Sequence, residues 1–363
     1  MEKIKVGIID QESSYREALG VYLSVESDDF DVCVLDHEKP DNFMPEPSQI
    51  LLIGEQLIDC IGQIQAKGRW TIVLTEDPDI EDQKNKSKIP DKIFRYQPAP
   101  QIAGEIRLIH ALLSGKWKLT RRDRTTTILG LISGASGSGK TVIAIALSRE
   151  LSKENHKKVL YLSLDHFYSA YAYFKEARSS GRSVSDFLYF IFKDTSKNTI
   201  IPPEGFMFRD AYGVYVFYPN PGRNALKELD KEELGFFIQY IHDHGGFDYI
   251  IMDFNTDLSI ENQFLLSQCK DVFMIHAMDA VSQIAGRHFS DYYNFLSDTN
   301  NITAFKAIRN FAERLDETEP YALQVESDPE SFYEAEGVLE ISLLKDFGFG
   351  IRRIKDYILS SQL

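Results

Sequence analysis

Between residues 5 and 113, short runs of almost uninterrupted apolar residues alternate with segments that place apolar side chains at helical spacing. The runs are KVGIID (5–10), FDVCVLD (30–36), QILLIG (49–54), TIVLT (71–75) and DKIFRY (91–96), while SYREALGVYLSV (14–25) and IAGEIRLIHALL (102–113) carry the amphipathic pattern. Strands that are apolar nearly throughout need cover on both faces, so the alternation predicts a parallel sheet wrapped by helices. SGKWKLTRRDRTTT (114–127) interrupts it, rich in Lys and Arg and poor in apolar residues, as a solvated linker is. The alternation restarts with TTILGLIS (126–133), a helical stretch from Gly139, KKVLYLSLD (157–165), GVYVFYP (213–219), DYIIMDF (248–254), DVFMIHA (271–277) and ITAFKAI (302–308). The fold class read from this is α/β with two doubly wound domains, residues 1–118 and 127–363, joined by a linker at 119–126. The turn-rich stretch 202–222 reads as an irregular excursion or a hairpin inside the second domain.

Composition narrows the classes of partner. Of 363 residues, 43% are hydrophobic and 26% charged, and 40 basic against 55 acidic residues leave a net charge of −15. That balance, with no segregated basic patch, speaks against nucleic acid and anionic lipid as general partners. Cys33, Cys60 and Cys269 are scattered, without metal-ligand spacing, and read as core residues of a protein in a reducing compartment. MEKIKVGIID offers one short apolar strand where a signal peptide needs a longer apolar region, so a cytoplasmic protein is expected.

The candidate chemistry lies in SGASGSGKT (133–141). Gly134-x4-Gly139-Lys140-Thr141 between a buried strand and a helix is the P-loop pattern. Its glycines let backbone N–H groups turn inward around phosphate oxygens, the helix N-terminus adds a positive end, Lys140 reaches the outer phosphates, and Thr141 is placed to ligate Mg²⁺. Asp253 ends the strand DYIIMD, where a carboxylate serves the Mg²⁺ water shell, although Asp at a strand end also caps helices. Asp165 ends VLYLSLD on the same carboxyl edge, and three roles stand open for it: orienting water, touching the metal sphere, or capping a helix near HFYSAYAYF. The aromatics of that segment, Phe167, Tyr168, Tyr171, Tyr173 and Phe174, read as core or interface, and His166, His242 and His244 as surface or capping residues.

Over about 235 positions the second half resembles the MinD/ParA-type P-loop ATPases, and within them the TadZ/CpaE branch of Flp (Tad) pilus assembly. GLISGASGSGKTVIAIALS, KKVLYLSLDHF, GGFDYIIMDFNTDLS, CKDVFMIHAMDAVS and ITAFKAIRNF carry the likeness. The resemblance implies that Gly134, Ala135, Ser136, Gly137, Ser138, Gly139, Lys140, Thr141 and Val142 hold ATP, that Thr141 and Asp253 serve Mg²⁺, and that Asn310 lies near the adenine. It makes Lys140, Asp165 and Asp253 the catalytic set. It also implies a nucleotide-bound homodimer working with other pilus or secretion assembly proteins, at the cell pole or the inner face of the membrane with at most peripheral contact. One departure matters: the family's second lysine is replaced at Gly134, with Ala135 and Ser136 for the usual glycine pair. Losing that charge predicts slow hydrolysis.

The first half resembles a response-regulator receiver, with Asp10 at the acidic position and Thr75 where receivers carry Ser or Thr. Gly54 stands at the phosphoacceptor position and Gln97, before Pro98, at the lysine position. Glycine has no nucleophile, so the expectation is a pseudo-receiver used for docking or dimerisation. Three other readings are weighed. An NtrC-like activator lacks its polymerase-contacting loop and helix-turn-helix. A small-molecule kinase of the uridine kinase type would need a lid arginine, for which Arg178, Arg182 and Arg209 are candidates. A scaffold would bind ATP without turnover. The C-terminal GIRRIKDYILSSQL, with Ile351, Ile354 and Ile358 on one face, reads as a helix packed on the sheet rather than a membrane anchor.

Overall fold

The computed structural model describes residues 3–26, 30–36, 48–60, 68–77, 92–114, 126–154, 157–178, 181–193, 200–300, 302–312 and 323–361. The expected linker at 119–126 lies almost wholly outside them. Contacts divide the chain into two units, Met1–Thr120 with Tyr189–Met207, and Arg121–Leu188 with Phe208–Leu363.

In the smaller unit, β1 (Ile4–Ile9), β2 (Phe30–Leu35), β3 (Ser48–Gly54), β4 (Gly68–Thr75) and β5 (Lys92–Phe94) form an all-parallel sheet in the order β2-β1-β3-β4-β5. This is the flavodoxin-like order. Alternate residues divide between two cores: Val6, Ile8, Ile50, Leu52 and Leu74 pack with α1 (Ser13–Glu26) and α2 (Ala99–Ser114), whereas Ile9, Leu51 and Ile53 form the opposite layer. The segment Tyr189–Met207, placed by the sequence reading in the second domain, groups here because α2 receives it closely. A Cβ on Gly104 would stand 2.8 Å from the Glu204 carbonyl oxygen, and one on Gly205 would stand 2.9 Å from Leu108 Cβ, so glycine at both positions lets the backbones meet.

The carboxyl edge of this sheet is filled from within. Arg95, 2% exposed, donates to Glu12 at 2.8 Å and to Glu76 at 3.1 Å, lies 3.5 Å from Asp10, and stacks 4.4 Å over the Tyr15 ring. The cation at this edge is Arg95, while Gln97 donates to Glu105 on α2. A Cβ at Gly54 would come within 2.5 Å of Asp10 Oδ2, so a side chain there would displace the Asp10 carboxylate. Cys33, expected in the core, is exposed, because β2 is the sheet's outer strand. The side chain of Cys60 lies outside the described residues.

The second sheet has eight strands among the described residues: β6 (Thr127–Ile132), β7 (Val159–Leu164), β8 (Met207–Arg209), β9 (Tyr215–Phe217), β10 (Tyr249–Phe254), β11 (Asp271–His276), β12 (Phe305–Ala312) and β13 (Leu323–Glu326). Their order is β13-β12-β11-β6-β10-β7-β9-β8, with parallel pairing from β13 through β9. The stretch 202–222 supplies a 3-10 turn and then β8 and β9, closed by the Asp210 amide on the Val214 carbonyl at 2.9 Å. Helices are α3 (Lys140–Lys153), α4 (Val184–Lys193), α5 (Lys231–Gly245), α6 (Ile260–Gln268), α7 (Ala280–Asn300) and α8 (Asp346–Ser360). Asp230 and Glu233 form a reciprocal cap that starts α5, and Gly246 at φ 60° ends it. α8 packs beside α3 with Ile351, Ile354 and Ile358 fully buried, so its apolar face is spent on the core as the sequence reading expected. A two-stranded hairpin, β14 (Phe332–Ala335) and β15 (Val338–Ile341), turns through Glu336 and Gly337, both at positive φ.

Candidate functional site

The loop between β6 and α3 lies at the carboxyl end of a strand that is buried on both faces between β10 and β11. Gly137 (φ 76°) and Gly139 (φ 81°) supply the left-handed turns that curl the backbone onto the start of α3. Gly139 is the residue before the helix, and no side chain caps it, so the first-turn amides of Lys140, Thr141 and Val142 lead into the cavity in front of the loop.

That cavity has a volume of about 790 Å³. Ala135 through Val142 form one wall, joined by Asp165 from the end of β7, Asn255 and Thr256 from beyond β10, and Asn310 from β12. Gly134 is not part of the lining. It sits beneath α7, where any Cβ would run into the Phe289 side chain, so the position assigned to a second lysine has no room for one.

Lys140, 8% exposed, pairs with Asp253 Oδ1, and Tyr161 from β7 donates to Asp253 Oδ2 at 2.8 Å. Asp253 is completely buried, and both its oxygens are thereby occupied. Burial, and then the adjacent Asp253 charge, hold the Tyr161 phenol well above its ordinary range, so it remains a donor. Asp165 is half-buried and accepts from Ser169 Oγ at 3.2 Å; burial raises its carboxyl pKa against the opposing pull of Lys140. Asn310 is 1% exposed and donates to the Ser138 carbonyl at 2.8 Å, which leaves its Oδ1 buried without a partner. A residue later Phe311, at φ 62°, also lines the cavity beside a register shift in β12.

The far wall escaped the sequence reading. Tyr173 from the 3-10 turn Ser169–Tyr173, the hairpin residues Phe332, Tyr333, Glu334, Leu339 and Glu340, and Phe347 of α8 close the cavity opposite the loop. The hairpin tip is clasped by the segment that follows Asp165: Lys175 pairs with Glu336, and Arg178 donates to the Glu336 and Gly337 carbonyls. Of the aromatic run, Phe174 and Tyr171 serve the core as expected, Phe167 is exposed, and Tyr173 faces the cavity. Asn255 and Thr256 were within reach of sequence reasoning, two and three positions after Asp253 and just past the strand's end. The hairpin carried no such signal. Among the described residues no cluster of His, Cys, Asp and Glu has the makings of a metal site built from protein ligands alone.

No protein-family model matches the chain, and no curated protein matches it. Solved structures do. A plasmid partition protein from Borrelia burgdorferi B31 bound to AMPPNP superposes with a TM-score of 0.50 at 16% identity, covering 66% of this chain and 100% of that one. Over that span the chain shares the fold of this plasmid partition protein. A ParA family ATPase from Chlorobium tepidum TLS (TM-score 0.45, 15% identity, 57% and 86% of the two chains) and the MinC:MinD cell division protein complex of Aquifex aeolicus (0.44, 16%, 57% and 83%) also align, less closely. At these identities the likeness is one of fold. No described helix is long and apolar enough to cross a membrane.

Proposed function

We propose that the larger unit binds ATP with Mg²⁺ and hydrolyses it slowly, and that the protein acts as a nucleotide-bound homodimer. The observation that carries this reading is the loop itself, with Gly137 and Gly139 in left-handed geometry, free first-turn amides, and Lys140 held at the cavity by Asp253. The AMPPNP carried by the Borrelia protein of the same fold supports it. Thr141 at the helix start and the buried Asp253 carboxylate offer the oxygen donors that suit Mg²⁺, which would neutralise phosphate charge when bound. Asn310 Oδ1, a buried acceptor without a donor, suits the amino group of adenine.

Asp165 is assigned the task of orienting water. It lines the cavity, and its raised pKa, with burial as the first cause, fits a carboxylate set near the chemistry. The slow rate follows from the absence of a second lysine at Gly134, where α7 leaves no space. The kinase reading weakens, since Arg178 is engaged by the hairpin and neither it, Arg182 nor Arg209 lines the cavity. The smaller unit is proposed as a pseudo-receiver for docking, supported by its strand order, by the Asp10 carboxylate standing where a Gly54 side chain would go and by Arg95 within the acidic cluster. Service to a Flp/Tad-type pilus or secretion apparatus rests on the resemblance to TadZ/CpaE proteins.

The test is steady-state ATP turnover with molecular mass recorded in parallel. Wild type should turn over slowly and double in mass with Mg-ATP. Asp165→Ala should lower turnover by about a hundredfold or more while keeping the nucleotide-dependent mass. A variant that hydrolyses like wild type would remove Asp165 from the chemistry, and a wild type that doubles in mass with Mg-ATP but shows no turnover would favour the non-hydrolysing scaffold.

A further inference from the structure

We propose that Tyr161 is a positioning residue for the Mg²⁺-binding carboxylate: its phenol fixes which oxygen of Asp253 stays available to the metal's water shell. The inference rests on the nucleotide-binding reading above and deepens it.

The geometry is specific. Tyr161 lies on β7 opposite Ile251 in the parallel register, two residues back from the Ser163–Asp253 pair. Its ring is anchored in the core, 1% exposed and 5.6 Å from the Phe174 ring, so the phenol is delivered by a side chain with no freedom to swing away. From there it donates to Asp253 Oδ2 at 2.8 Å, while Lys140 takes Oδ1. These two partners are not equivalent. Lys140 is a long flexible side chain at the cavity wall, required at the phosphates once nucleotide is present. The phenol has nowhere else to go.

When Lys140 turns to the phosphates, Oδ1 loses its partner and Oδ2 does not. Asp253 then presents one oxygen, in one orientation, without reorganising as ligand arrives. Without the phenol, Oδ2 would be a completely buried acceptor with nothing to bond, and once Lys140 turns away no donor would fix the carboxylate's orientation. A strand residue here that filled the same volume with no hydroxyl would preserve packing and lose only this function. That contrast makes the role separable from Tyr161's place in the core.

The experiment is nucleotide binding by the full chain, followed with a fluorescent ATP analogue at stepwise Mg²⁺ concentrations. Tyr161→Phe, Asp253→Asn, the double variant and Lys140→Ala are compared with wild type. Tyr161→Phe should raise the Mg²⁺ concentration for half-maximal enhancement of binding by roughly three- to tenfold, leaving affinity without Mg²⁺ unchanged. In the Asp253→Asn background the same change should add nothing further. An unchanged Mg²⁺ midpoint in Tyr161→Phe, additive effects in the double variant, or equal loss of binding with and without Mg²⁺ would each overturn the proposal. The underlying reading fails by a different sign, namely Lys140→Ala binding the analogue as wild type does.

Discussion

At the scale of single residues, the site is governed by where side chains are forbidden as much as by where they act. Gly139 sits at φ 81°, and a Cβ there would collide with the Asn310 amide, which donates to the Ser138 carbonyl in the same loop. Gly139→Ala should therefore weaken ATP binding tenfold or more, about 1.4 kcal/mol, through left-handed backbone strain plus displacement of Asn310. Equilibrium titration checks this, and a melting temperature within a few degrees of wild type would locate the effect in the loop. The sequence shows apolar runs leading to Lys140, Asp165 and Asp253, and these residues meet because β6, β10 and β7 are neighbours in one parallel sheet whose strand ends share an edge. Tyr161 was not, since an aromatic in a strand's interior reads as core, and here it is both core and hydrogen-bond donor. Arg95 was missed for a similar reason. Counting back from Pro98 pointed to Gln97, but the short β5 ends at Phe94 and delivers Arg95 to the carboxylates of Asp10, Glu12 and Glu76.

At the scale of elements, periodicity read well wherever both faces or one clear face is buried. β6, β7 and β10 have nearly every residue in the core, and α8 alternates by helical turns between Ile351, Ile354 and Ile358 and the polar Arg352, Arg353 and Lys355. Removing one of those isoleucines tests whether the helix is structural. Ile354→Ala should cost about 2–5 kcal/mol in the denaturant unfolding of the larger unit, against roughly 1 kcal/mol or less for Phe349→Ala, whose side chain is half exposed. Equal small effects would mean that the helix is not locked into the core. Elements stabilised by long-range partners were harder to see. The aromatic run after Asp165 forms 3-10 turns rather than a helix, as its tyrosines are drawn to distant acceptors such as the Phe217 carbonyl for Tyr171. The hairpin β14–β15 owes its place over the cavity to Lys175 and Arg178, some 160 residues upstream in sequence. Neither fact is encoded in local pattern.

At the scale of the whole molecule, the chain holds two parallel α/β units of different character. One closes its carboxyl edge with an internal arginine, and the other opens the corresponding edge into a cavity of about 790 Å³ lined by a phosphate loop. Contacts group Tyr189–Met207 with the smaller unit, where Gly104 and Gly205 permit a close backbone approach that no linear reading displays. The net charge of −15 works against a polyanion at long range, so its binding depends on the local amides of the loop and on Lys140. The central claim is that Ser133–Thr141 holds ATP, and the most direct measurement is the equilibrium dissociation constant for ATP of the full chain beside Lys140→Ala. Saturable binding that weakens by about 30-fold or more in the variant, at least ~2 kcal/mol, is the predicted result. Wild type that fails to bind, or a variant that binds equally well, would contradict the account.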